Sequence, residues 1–374
     1  MPFSFWEKES FFYHRHLIVC GAGFTGLSAA IYYKRKFPKK TVLVLEKSPI
    51  NGGASTKNAG FACFGSPSEL LADLRFMPEA TVFGMVARRW KGLHNLRQLL
   101  GDKAIGYAHT HGYELFLEKD KAAYEHCREQ LDYLNEKIAA ITGQQTFLPA
   151  DEKTAEFGFA GVSHVLESTA EGSVDTGRMY GSLLALARET GVDIFNGIEI
   201  TGFEEGETVK VQTSEGTISC DRFLVANNGF AASLLPDSGT VPARAQVLIT
   251  APVPGLKLNG TFHMDEGFYY FRNVGDRVLL GGARNLSFDT ETTTQPVLNE
   301  MIQARLTEVL RTIILPNQEV PVAMRWAGIM GMGTEKSVIV KQLSEKTFCA
   351  IRLSGMGIAL STILGKEVVE IMGA

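Results

Sequence analysis

The sequence predicts an α/β fold in which a doubly wound parallel sheet is interleaved with a second domain, built on an antiparallel or mixed sheet with helices. A strand, a helix and a second strand follow one another between His16 and Glu46. Long helical patterns begin at Ala80, and closely spaced strand signals occupy Arg244 to Ala283. A chain of 374 residues also exceeds what one hydrophobic core usually organises, so two domains are expected.

The first unit begins with a short apolar strand from His16 to Cys20. Phe24 to Phe37 follows as a helix, and Thr41 to Glu46, with the sequence TVLVLE, is again a strand. Both strands are apolar along their length, which is typical of parallel strands buried on two faces. The segment is therefore predicted to be the βαβ unit that starts a doubly wound sheet.

The chain then leaves this sheet and returns to it. Helical patterns run from Ala80 to about Gly143 and are interrupted by a strand-like segment, Tyr113 to Leu117. A helix from Asp175 to Thr190 begins the return. Three strand signals complete it: Val192 to Phe195, Val209 to Thr213 and Arg222 to Ala226.

The second half opens with the strand segments AQVLIT, GTFHM, FYYFR and RVLLGG, which are separated by turn residues and predict an antiparallel sheet. An amphipathic helix from Val297 to Ile314 follows. The chain closes with strands at Ser337 to Val340 and Thr347 to Arg352, and with a last helix that ends at Met372.

Composition and charge exclude several classes of protein. The apolar fraction of 45% is that of a soluble globular protein, and a net charge of −4 without a long basic run argues against nucleic-acid binding. Five widely spaced cysteines without a C-x-x-C pair support neither a disulfide framework nor a metal site, and they favour a reducing cytoplasm. No signal peptide and no membrane span are predicted.

A glycine-rich turn, Gly21-Ala22-Gly23-Phe24-Thr25-Gly26, joins the first strand to the first helix. This is the context in which G-x-G-x-x-G indicates dinucleotide binding. The glycines permit a tight turn, close approach of a pyrophosphate and packing of helix on strand, while free amides at the helix start face the anion. Glu46 ends the second strand, where a carboxylate accepts hydrogen bonds from the adenosine ribose and argues against a 2′-phosphate.

The residues after the second strand bear on the choice between FAD and NAD. Residues 51–60, NGGASTKNAG, are small, polar and rich in glycine, and an ordinary NAD domain needs no such loop at this place. The run suits backbone and hydroxyl contacts to a pyrophosphate and passage of the chain beside a flat ring. It favours FAD, with a plain flexible loop as the alternative interpretation of this segment alone.

Together these segments resemble the D-amino-acid oxidase family of FAD-dependent oxidoreductases, which includes glycine oxidase, sarcosine oxidase and D-amino-acid dehydrogenase. The likeness covers most of the chain and is most specific in LIVCGAGFTGLSAA and LSGMGIALSTILGKEVVEIM. It implies a discontinuous, Rossmann-like FAD-binding domain and a substrate domain whose sheet covers the flavin. We place the FAD-binding domain at residues 15–79, 173–235 and 325–374, and the substrate domain at residues 80–172 and 236–324.

The resemblance also implies which residues bind the cofactor. Ser55, Thr56 and Asn58 would lie along the pyrophosphate and flavin, and the main chain near Ile200 would meet the adenine. No cysteine lies between Gly328 and Gly333, where some members attach the flavin, so non-covalent FAD is expected. The full predicted set is Gly21, Gly23, Phe24, Thr25, Gly26, Glu46, Lys47, Ser55, Thr56, Asn58, Ile200, Gly355, Met356, Gly357 and Ile358.

Two departures from the family concern the substrate. After a Trp-Ala-Gly such as that ending at Gly328, members that oxidise amino acids commonly place an arginine that binds the substrate carboxylate, whereas this chain has Met330. Sarcosine oxidases have a lysine shortly after the last glycine pair, where this chain has Ala359. The resemblance therefore does not extend to glycine or sarcosine as the substrate.

Amine oxidation by a flavin requires mainly that the substrate be well positioned, so the candidates are side chains that can orient it. Lys57 is chosen for its place on the glycine-rich loop. Strand alternation puts Tyr270 and Arg272 on one face and Tyr269 on the other, and Arg272 is the candidate replacement for the carboxylate anchor. Less specific candidates are His263, Tyr269, Arg284, Arg325 and Arg352.

The predicted function is oxidation of a small amine or amino acid by hydride transfer to flavin N5, in an oxidase or a dehydrogenase. One alternative on the same fold is a 2-hydroxy acid or polyol phosphate dehydrogenase. Another is a protein that binds FAD without turning over a small molecule. Substrate identity, electron acceptor and oligomeric state stay open at this point.

Overall fold

The computed structural model describes residues 4–373. They contain twelve α-helices: α1 (Phe5–Ser10), α2 (Phe24–Lys36), α3 (Pro67–Leu74), α4 (Glu79–Leu100), α5 (Asp102–Ile105), α6 (Lys121–Glu129), α7 (Leu131–Thr142), α8 (Lys153–Phe157), α9 (Thr176–Glu189), α10 (Phe288–Glu291), α11 (Glu300–Val309) and α12 (Gly357–Met372).

The same residues contain eighteen strands: β1 (Arg15–Cys20), β2 (Val42–Glu46), β3 (Phe61–Ala62), β4 (Gly112–Leu117), β5 (Phe147–Pro149), β6 (Val162–Ser168), β7 (Gly172–Ser173), β8 (Asp193–Asn196), β9 (Ile200–Glu205), β10 (Val209–Thr213), β11 (Gly216–Val225), β12 (Val241–Thr250), β13 (Thr261–Met264), β14 (Tyr269–Val274), β15 (Arg277–Gly282), β16 (Val322–Met332), β17 (Ile339–Gln342) and β18 (Thr347–Ile351).

The first sheet has the strand order β17-β18-β11-β1-β2-β8, with β10 paired to β11 and β9 to β10. The five strands from β18 to β8 in this order are parallel to their neighbours, so their carboxyl ends meet at one edge. The predicted βαβ unit is confirmed, since β1 and β2 pair in parallel and α2 connects them. Ligands bind at this edge in open α/β sheets.

Helices α2, α9 and α12 cover one face of the first sheet through a shared apolar core. The contact between α2 and α12 is close: a Cβ added to Gly365 would lie 2.6 Å from the backbone nitrogen of Ala29. Helix α4 reaches α12 in the same way, because a Cβ on Gly92 would lie 1.9 Å from the carbonyl oxygen of Ala359. These glycines allow α2, α4 and α12 to pack closely against one another.

The second sheet has eight strands in the order β16-β12-β15-β14-β13-β4-β6-β5. Neighbouring strands are antiparallel except for β13 and β4, which are parallel, so the sheet is mixed. One face packs on α11 in an apolar core that includes Phe262, Phe271 and Leu306. The other face is turned toward the chain that follows β2.

Several predicted bounds are corrected. The helix expected from Val297 begins at Glu300, because Asn299 caps it by accepting a hydrogen bond from the Met301 amide, and its last turn, from Leu310 to Ile314, is a π-helix. The strand expected at Ser337 to Val340 lies at Ile339–Gln342. Six strands had no counterpart in the prediction: β3, β5, β6, β7, β9 and β16.

The division into two domains stays a prediction. Strand β16 pairs with β12 in the second sheet, so the predicted boundary at residue 325 falls inside a strand of that sheet. Within residues 4–373, no helix combines the length and the apolar character that crossing a membrane requires.

Candidate active site

The glycine-rich turn lies at the carboxyl edge of the first sheet. Gly21 has a φ of +101°, a conformation that L side chains rarely adopt, and its amide donates to the carbonyl of Leu45 at 2.8 Å. A Cβ on Gly26 would lie only 2.0 Å from the carbonyl oxygen of Gly21. The third glycine of the fingerprint is therefore required by packing, as the motif predicts.

The start of α2 faces the glycine-rich loop. Ser55 Oγ accepts a hydrogen bond of 2.9 Å from the Phe24 amide and lies 3.1 Å from where a Cβ on Gly23 would be. The amides of Thr25 and Gly26, in the first turn of α2, have no acceptor within the helix. Together with the Ser55 hydroxyl, they form a set of donors at the positive end of the helix, which is suited to an anion such as a pyrophosphate.

Glu46 closes the other side of the turn. Its Oε2 accepts from the Ala22 amide at 3.1 Å and its Oε1 from the Ser48 amide at 3.0 Å, which fixes the carboxylate beside the turn. Lys47 does not point toward the turn, because its ammonium lies over the ring of Phe230, 3.7 Å from the ring centroid. Ile200 begins β9, and the neighbouring Ile198 amide donates to the carbonyl of Glu46, so the predicted adenine segment adjoins this carboxylate.

Asn58 organises the glycine-rich loop. Its Nδ2 donates to the carbonyls of Ala54 and Ser55, both at 3.1 Å. Its Oδ1 accepts from the Gly60 amide at 2.9 Å and from Thr176 Oγ1 at 3.0 Å. Groups of the protein use every hydrogen-bond donor and acceptor of this side chain, so in the structure Asn58 stabilises the conformation of the loop.

Thr56 also bonds within the loop, since its hydroxyl donates to the Asn51 carbonyl at 2.8 Å. Ser55, in contrast, keeps a hydroxyl hydrogen for a further bond.

The segment before α12 carries unusual backbone conformations. Arg352, Ser354 and Gly355 all have positive φ angles, of 61°, 49° and 84°. Hydrogen bonds hold this backbone in place, including one from the Leu353 amide to Asn228 Oδ1 at 3.2 Å. Strained backbone that its surroundings enforce is typical of functional sites, and here it leads into the predicted cofactor-binding residues Gly355, Met356, Gly357 and Ile358.

The second sheet presents a transverse row of side chains to this region. Strand register aligns one residue from each of six neighbouring strands, from β16 to β4: Trp326, Val247, Gly281, Tyr270, His263 and Glu114. Residues directly opposite one another in paired strands share a face, so all six point the same way.

Residues 57–68 run along this row. Trp326 Nε1 donates to the Lys57 carbonyl at 3.0 Å at one end, and Glu114 accepts bonds from Ser66 and Ser68 at the other. The chain that leaves the carboxyl edge of the first sheet therefore crosses one face of the second sheet.

Tyr270 lies at the centre of this row, as strand alternation predicts. Its ring covers Gly281, where a Cβ would lie 2.6 Å from Tyr270 Cε2, so only glycine leaves room for it. The ring meets Phe61 edge to face with 5.9 Å between centroids. Burial raises the pKa of Tyr270 to about 12, so its hydroxyl is protonated at neutral pH and can donate a hydrogen bond.

Arg272 shares this face, but its guanidinium is buried between the layers. Its Nη2 donates to the Val174 carbonyl at 2.9 Å and lies 3.2 Å from the position of a Cβ on Gly60. Its Nε has no hydrogen-bond partner within residues 4–373. Burial lowers the pKa of Arg272 to about 10, with the charge of Asp175 opposing that shift, and the group remains a cation at neutral pH.

Lys57, from the glycine-rich loop, and Met330 of β16 lie beside the same part of that strand. The Lys57 side chain packs over Gly328, where a Cβ would be 3.1 Å from its Cβ and 3.8 Å from its Cδ. Met330, two residues further on the same strand face, places its sulfur 3.7 Å from a Cβ on Gly355. A thioether thus occupies the position beside the α12 segment, and Lys57 supplies a cation one step away along β16.

The less specific candidates lie in other contacts. Tyr269 faces the α11 core and accepts from Arg305 Nε at 3.3 Å, while Arg325 bonds Gln303 and Thr307 of α11. Arg352 donates to the Ser337 carbonyl at 2.7 Å. Arg284 lies over the Phe288 ring at 4.7 Å. None of these four points to the row described above.

Sequence reasoning missed two fully buried glutamates beside His263. Glu171 Oε2 lies 3.1 Å from His263 Nε2, and Glu114 is the register partner of His263 on β4. Burial alone would lower the pKa of His263, but the charges and the hydrogen bond from Glu171 outweigh burial and raise it. Burial raises the pKa of Glu114, against the hydrogen bonds from Ser68 and Ser66.

The residues at the sheet edge fit a dinucleotide, since Gly21 and Gly26 leave no room for side chains while Ser55 and the first turn of α2 present donors. Comparison with known proteins agrees. The model of the family described as FAD dependent oxidoreductase matches residues 16–371.

Curated and solved relatives extend over most of the chain. The probable oxidoreductase OrdL of Rhizobium meliloti (strain 1021) is 24% identical over 368 residues, which span 94% of this chain and 82% of the relative. The crystal structure of glycine oxidase from Bacillus cereus ATCC 14579 has a TM-score of 0.77 at 19% identity, covering 96% of this chain and 95% of that one.

Iminodiacetate oxidase from Chelativorans sp. BNC1 also gives a TM-score of 0.77, at 18% identity, and covers 96% of this chain and 95% of that one. These solved structures establish a shared fold, while the family match carries the cofactor. The chain therefore belongs to the D-amino-acid oxidase family of FAD-dependent oxidoreductases and uses FAD.

Proposed function

We propose that this enzyme oxidises a small amine or amino acid at its carbon–nitrogen bond. The proposal rests on the path of residues 57–68. These residues leave the edge of the first sheet where the glycine-rich turn lies, and they cross the face of the second sheet beneath Tyr270 and Trp326. The similar solved structures named glycine oxidase and iminodiacetate oxidase support an amine substrate.

FAD held by the glycine-rich turn, Ser55 and the first turn of α2 would supply an acceptor, flavin N5, for the hydride of the substrate C–H bond, while the nitrogen lone pair would form the C=N bond of an iminium ion. Flavin chemistry of this kind needs a neutral substrate nitrogen and a well-aligned C–H bond. The protein's contribution is to bind and orient the substrate.

Lys57 is proposed to bind the substrate's anionic group. Met330 stands where amino-acid-oxidising members carry an arginine, and Lys57 packs on Gly328 of the same strand face. No ion pair formed by residues 4–373 involves Lys57, so its charge is not consumed by a protein carboxylate. A lysine offers a point charge and not the fork of an arginine, which predicts looser recognition of a carboxylate.

Tyr270 and Arg272 are proposed to complete the orientation of the substrate. The Tyr270 hydroxyl stays protonated and donates, and Arg272 Nε keeps an unused donor. Arg272 also ties β14 to the backbone before α9 through Val174, so it positions the loop that lies beneath the substrate.

Oxidation of a 2-hydroxy acid or polyol phosphate is the second candidate. The absence of the family's arginine at Met330 favours it, because a lysine anchors a carboxylate or a phosphate whether the oxidised carbon bears nitrogen or oxygen. A third possibility, an FAD protein without small-molecule turnover, rests on the same substitution.

An anaerobic reduction assay tests the proposal. The yellow purified protein is mixed with D- and L-amino acids, N-methyl amines, 2-hydroxy acids and polyol phosphates, and bleaching near 450 nm is recorded, with FAD released on denaturation as the check for non-covalent binding. Bleaching by an amine or amino acid is expected. Bleaching by hydroxy acids or polyol phosphates alone, or by no compound while a partner protein co-purifies, would refute it.

A further inference from the structure

We propose that Cys63, Glu171 and His263 form a zinc site between the second sheet and the ribbon of β3 and β7. One ligand atom from each residue lies within 4.8 Å of the other two, and all three side chains are buried. Sulfur, carboxylate oxygen and imidazole nitrogen are the ligand types that zinc takes in proteins. Zinc in a tetrahedral site holds such atoms roughly 3.3–3.6 Å apart, so the three atoms are close enough for small side-chain movements to bring them to one ion.

The backbone sets two of these ligands opposite each other. Strands β3 and β7 pair with Phe61 opposite Ser173 and Ala62 opposite Gly172. The same antiparallel register puts Cys63 opposite Glu171, so both side chains leave the ribbon on one face. His263 approaches that face from β13 of the second sheet, with Nε2 3.1 Å from Glu171 Oε2. The site therefore joins two layers.

The carboxylate of Glu171 fits into space that a glycine provides. A Cβ on Gly112 would lie 2.2 Å from Glu171 Oε2, so any side chain there would displace the carboxylate. Thr261 Oγ1, on the strand next to Gly112, lies 3.2 Å from the same oxygen and orients it. The other oxygen, Oε1, is buried without a hydrogen-bond partner among residues 4–373. Buried carboxylate oxygens are rarely left unpaired, and a metal ion would satisfy this one.

The charges around the cluster also favour a dication. His263 faces Glu171, Glu114 and Glu69, and the cation that faces Cys63 is Arg89, which donates to the Phe64 carbonyl. A zinc ion bound by a Cys63 thiolate, a Glu171 carboxylate and a neutral His263 would be electrically neutral as a unit. Neutral units are much less costly to bury than an isolated carboxylate.

Metal analysis of the FAD-loaded enzyme tests the site without reference to any substrate. The protein is expressed with zinc sulfate, passed through a desalting column under a non-thiol reductant, and its zinc and FAD are both quantified. About one zinc per chain is expected in the wild type. The variants Cys63→Ala and His263→Gln should hold at least roughly tenfold less, and Cys220→Ala, which removes a buried thiol from β11, should keep its zinc.

The variant Gly112→Ala tests the site independently, because it retains all three ligand residues and displaces only the Glu171 carboxylate. It should lose zinc while keeping FAD, and the retained FAD shows that each variant has folded. Chelation should lower the thermal midpoint of the wild type and leave that of Cys63→Ala unchanged. Wild-type protein that binds FAD but holds no more zinc than Cys63→Ala would overturn the proposal.

Discussion

Replacing Gly26 with alanine tests how the fingerprint turn is built. The added Cβ would lie 2.0 Å from the Gly21 carbonyl oxygen, whereas ordinary contact begins at 3.4 Å. Helix α2 cannot retreat to make this space, because behind it Gly365 of α12 already approaches the backbone of Ala29. The turn and the first amides of α2 must therefore shift out of line with each other.

Forcing one extra methyl group into such a contact costs about 1–3 kcal/mol. If the turn distorts to relieve that strain, FAD binding loses this free energy and its dissociation constant rises by roughly tenfold or more. The expected result for Gly26→Ala is weaker FAD binding, measured by quenching of flavin fluorescence, together with a lower urea midpoint for the FAD-free protein.

Gly84→Ala is the matched control for this experiment. Gly84 lies on the exposed side of α4, and a Cβ there would meet no atom within 4 Å. The substitution should leave FAD affinity unchanged and stabilise the helix by about 0.5–1 kcal/mol. Equal FAD affinity and equal urea midpoints for Gly26→Ala and the wild type would show that the turn tolerates a side chain and that the packing argument is wrong.

Two further substitutions test binding and stability. Lys57→Gln should raise the KM for an anionic substrate roughly tenfold with a smaller change in kcat. Lys119→Gln changes a lysine on the exposed surface and should match the wild type in steady-state kinetics. A fall in kcat alone for Lys57→Gln would contradict a role of Lys57 in binding. Glu291→Gln should lower the free energy of unfolding by about 3–5 kcal/mol at pH 7, because it leaves the buried Arg244 guanidinium without its carboxylate. Glu308→Gln, which removes an exposed ion pair, should cost less than about 1 kcal/mol.

The effect at Glu291 should depend on pH in a defined direction. Burial alone would raise the pKa of this carboxyl, but hydrogen bonds from Arg244, Gln246 and Asn299 outweigh burial and lower it below the ordinary value of 4.5. The carboxylate therefore contributes its full stabilisation above that value and loses it as the pH falls through the lower pKa of the folded state. The difference in urea unfolding between wild type and Glu291→Gln should shrink as the pH falls below 4.5, and a difference that stays constant from pH 7 downward would contradict the assignment.

The parts of the fold that the sequence predicts well are those specified by local patterns. The βαβ unit is defined by two apolar strands and a glycine turn within one short stretch, and every interaction that places Gly21, Gly26 and Glu46 is made within that unit or at its sheet edge. Alternation along a strand is equally local, and the structure has Tyr270 and Tyr269 on opposite faces as predicted.

Features that depend on contacts between distant segments were not predictable in the same way. The start of α11 was placed too early because Val297 and Leu298 continue the apolar helical pattern. Asn299, which donates to Gln246 of β12 and to Glu291, caps the helix, so it begins only at Glu300. The placement of Asn58 along the cofactor stays a prediction, but its bonds to Thr176 of another segment and to the loop backbone had no sign in the sequence. A side chain's partners in another segment decide its role, and a single sequence does not show them.

The cluster of Cys63, Glu171 and His263 shows this limit most clearly. Metal sites are recognised in sequences by short spacings, such as C-x-x-C, and these three residues are each about a hundred positions apart. Pairing of β3 with β7 brings the first two together, and docking of the second sheet adds the third. Gly112 supplies the space for the carboxylate from yet another strand. A site assembled from four segments has a signature only in three dimensions, so loss of zinc in Gly112→Ala, with every ligand retained, is the observation that would separate such a site from a chance grouping of buried polar residues.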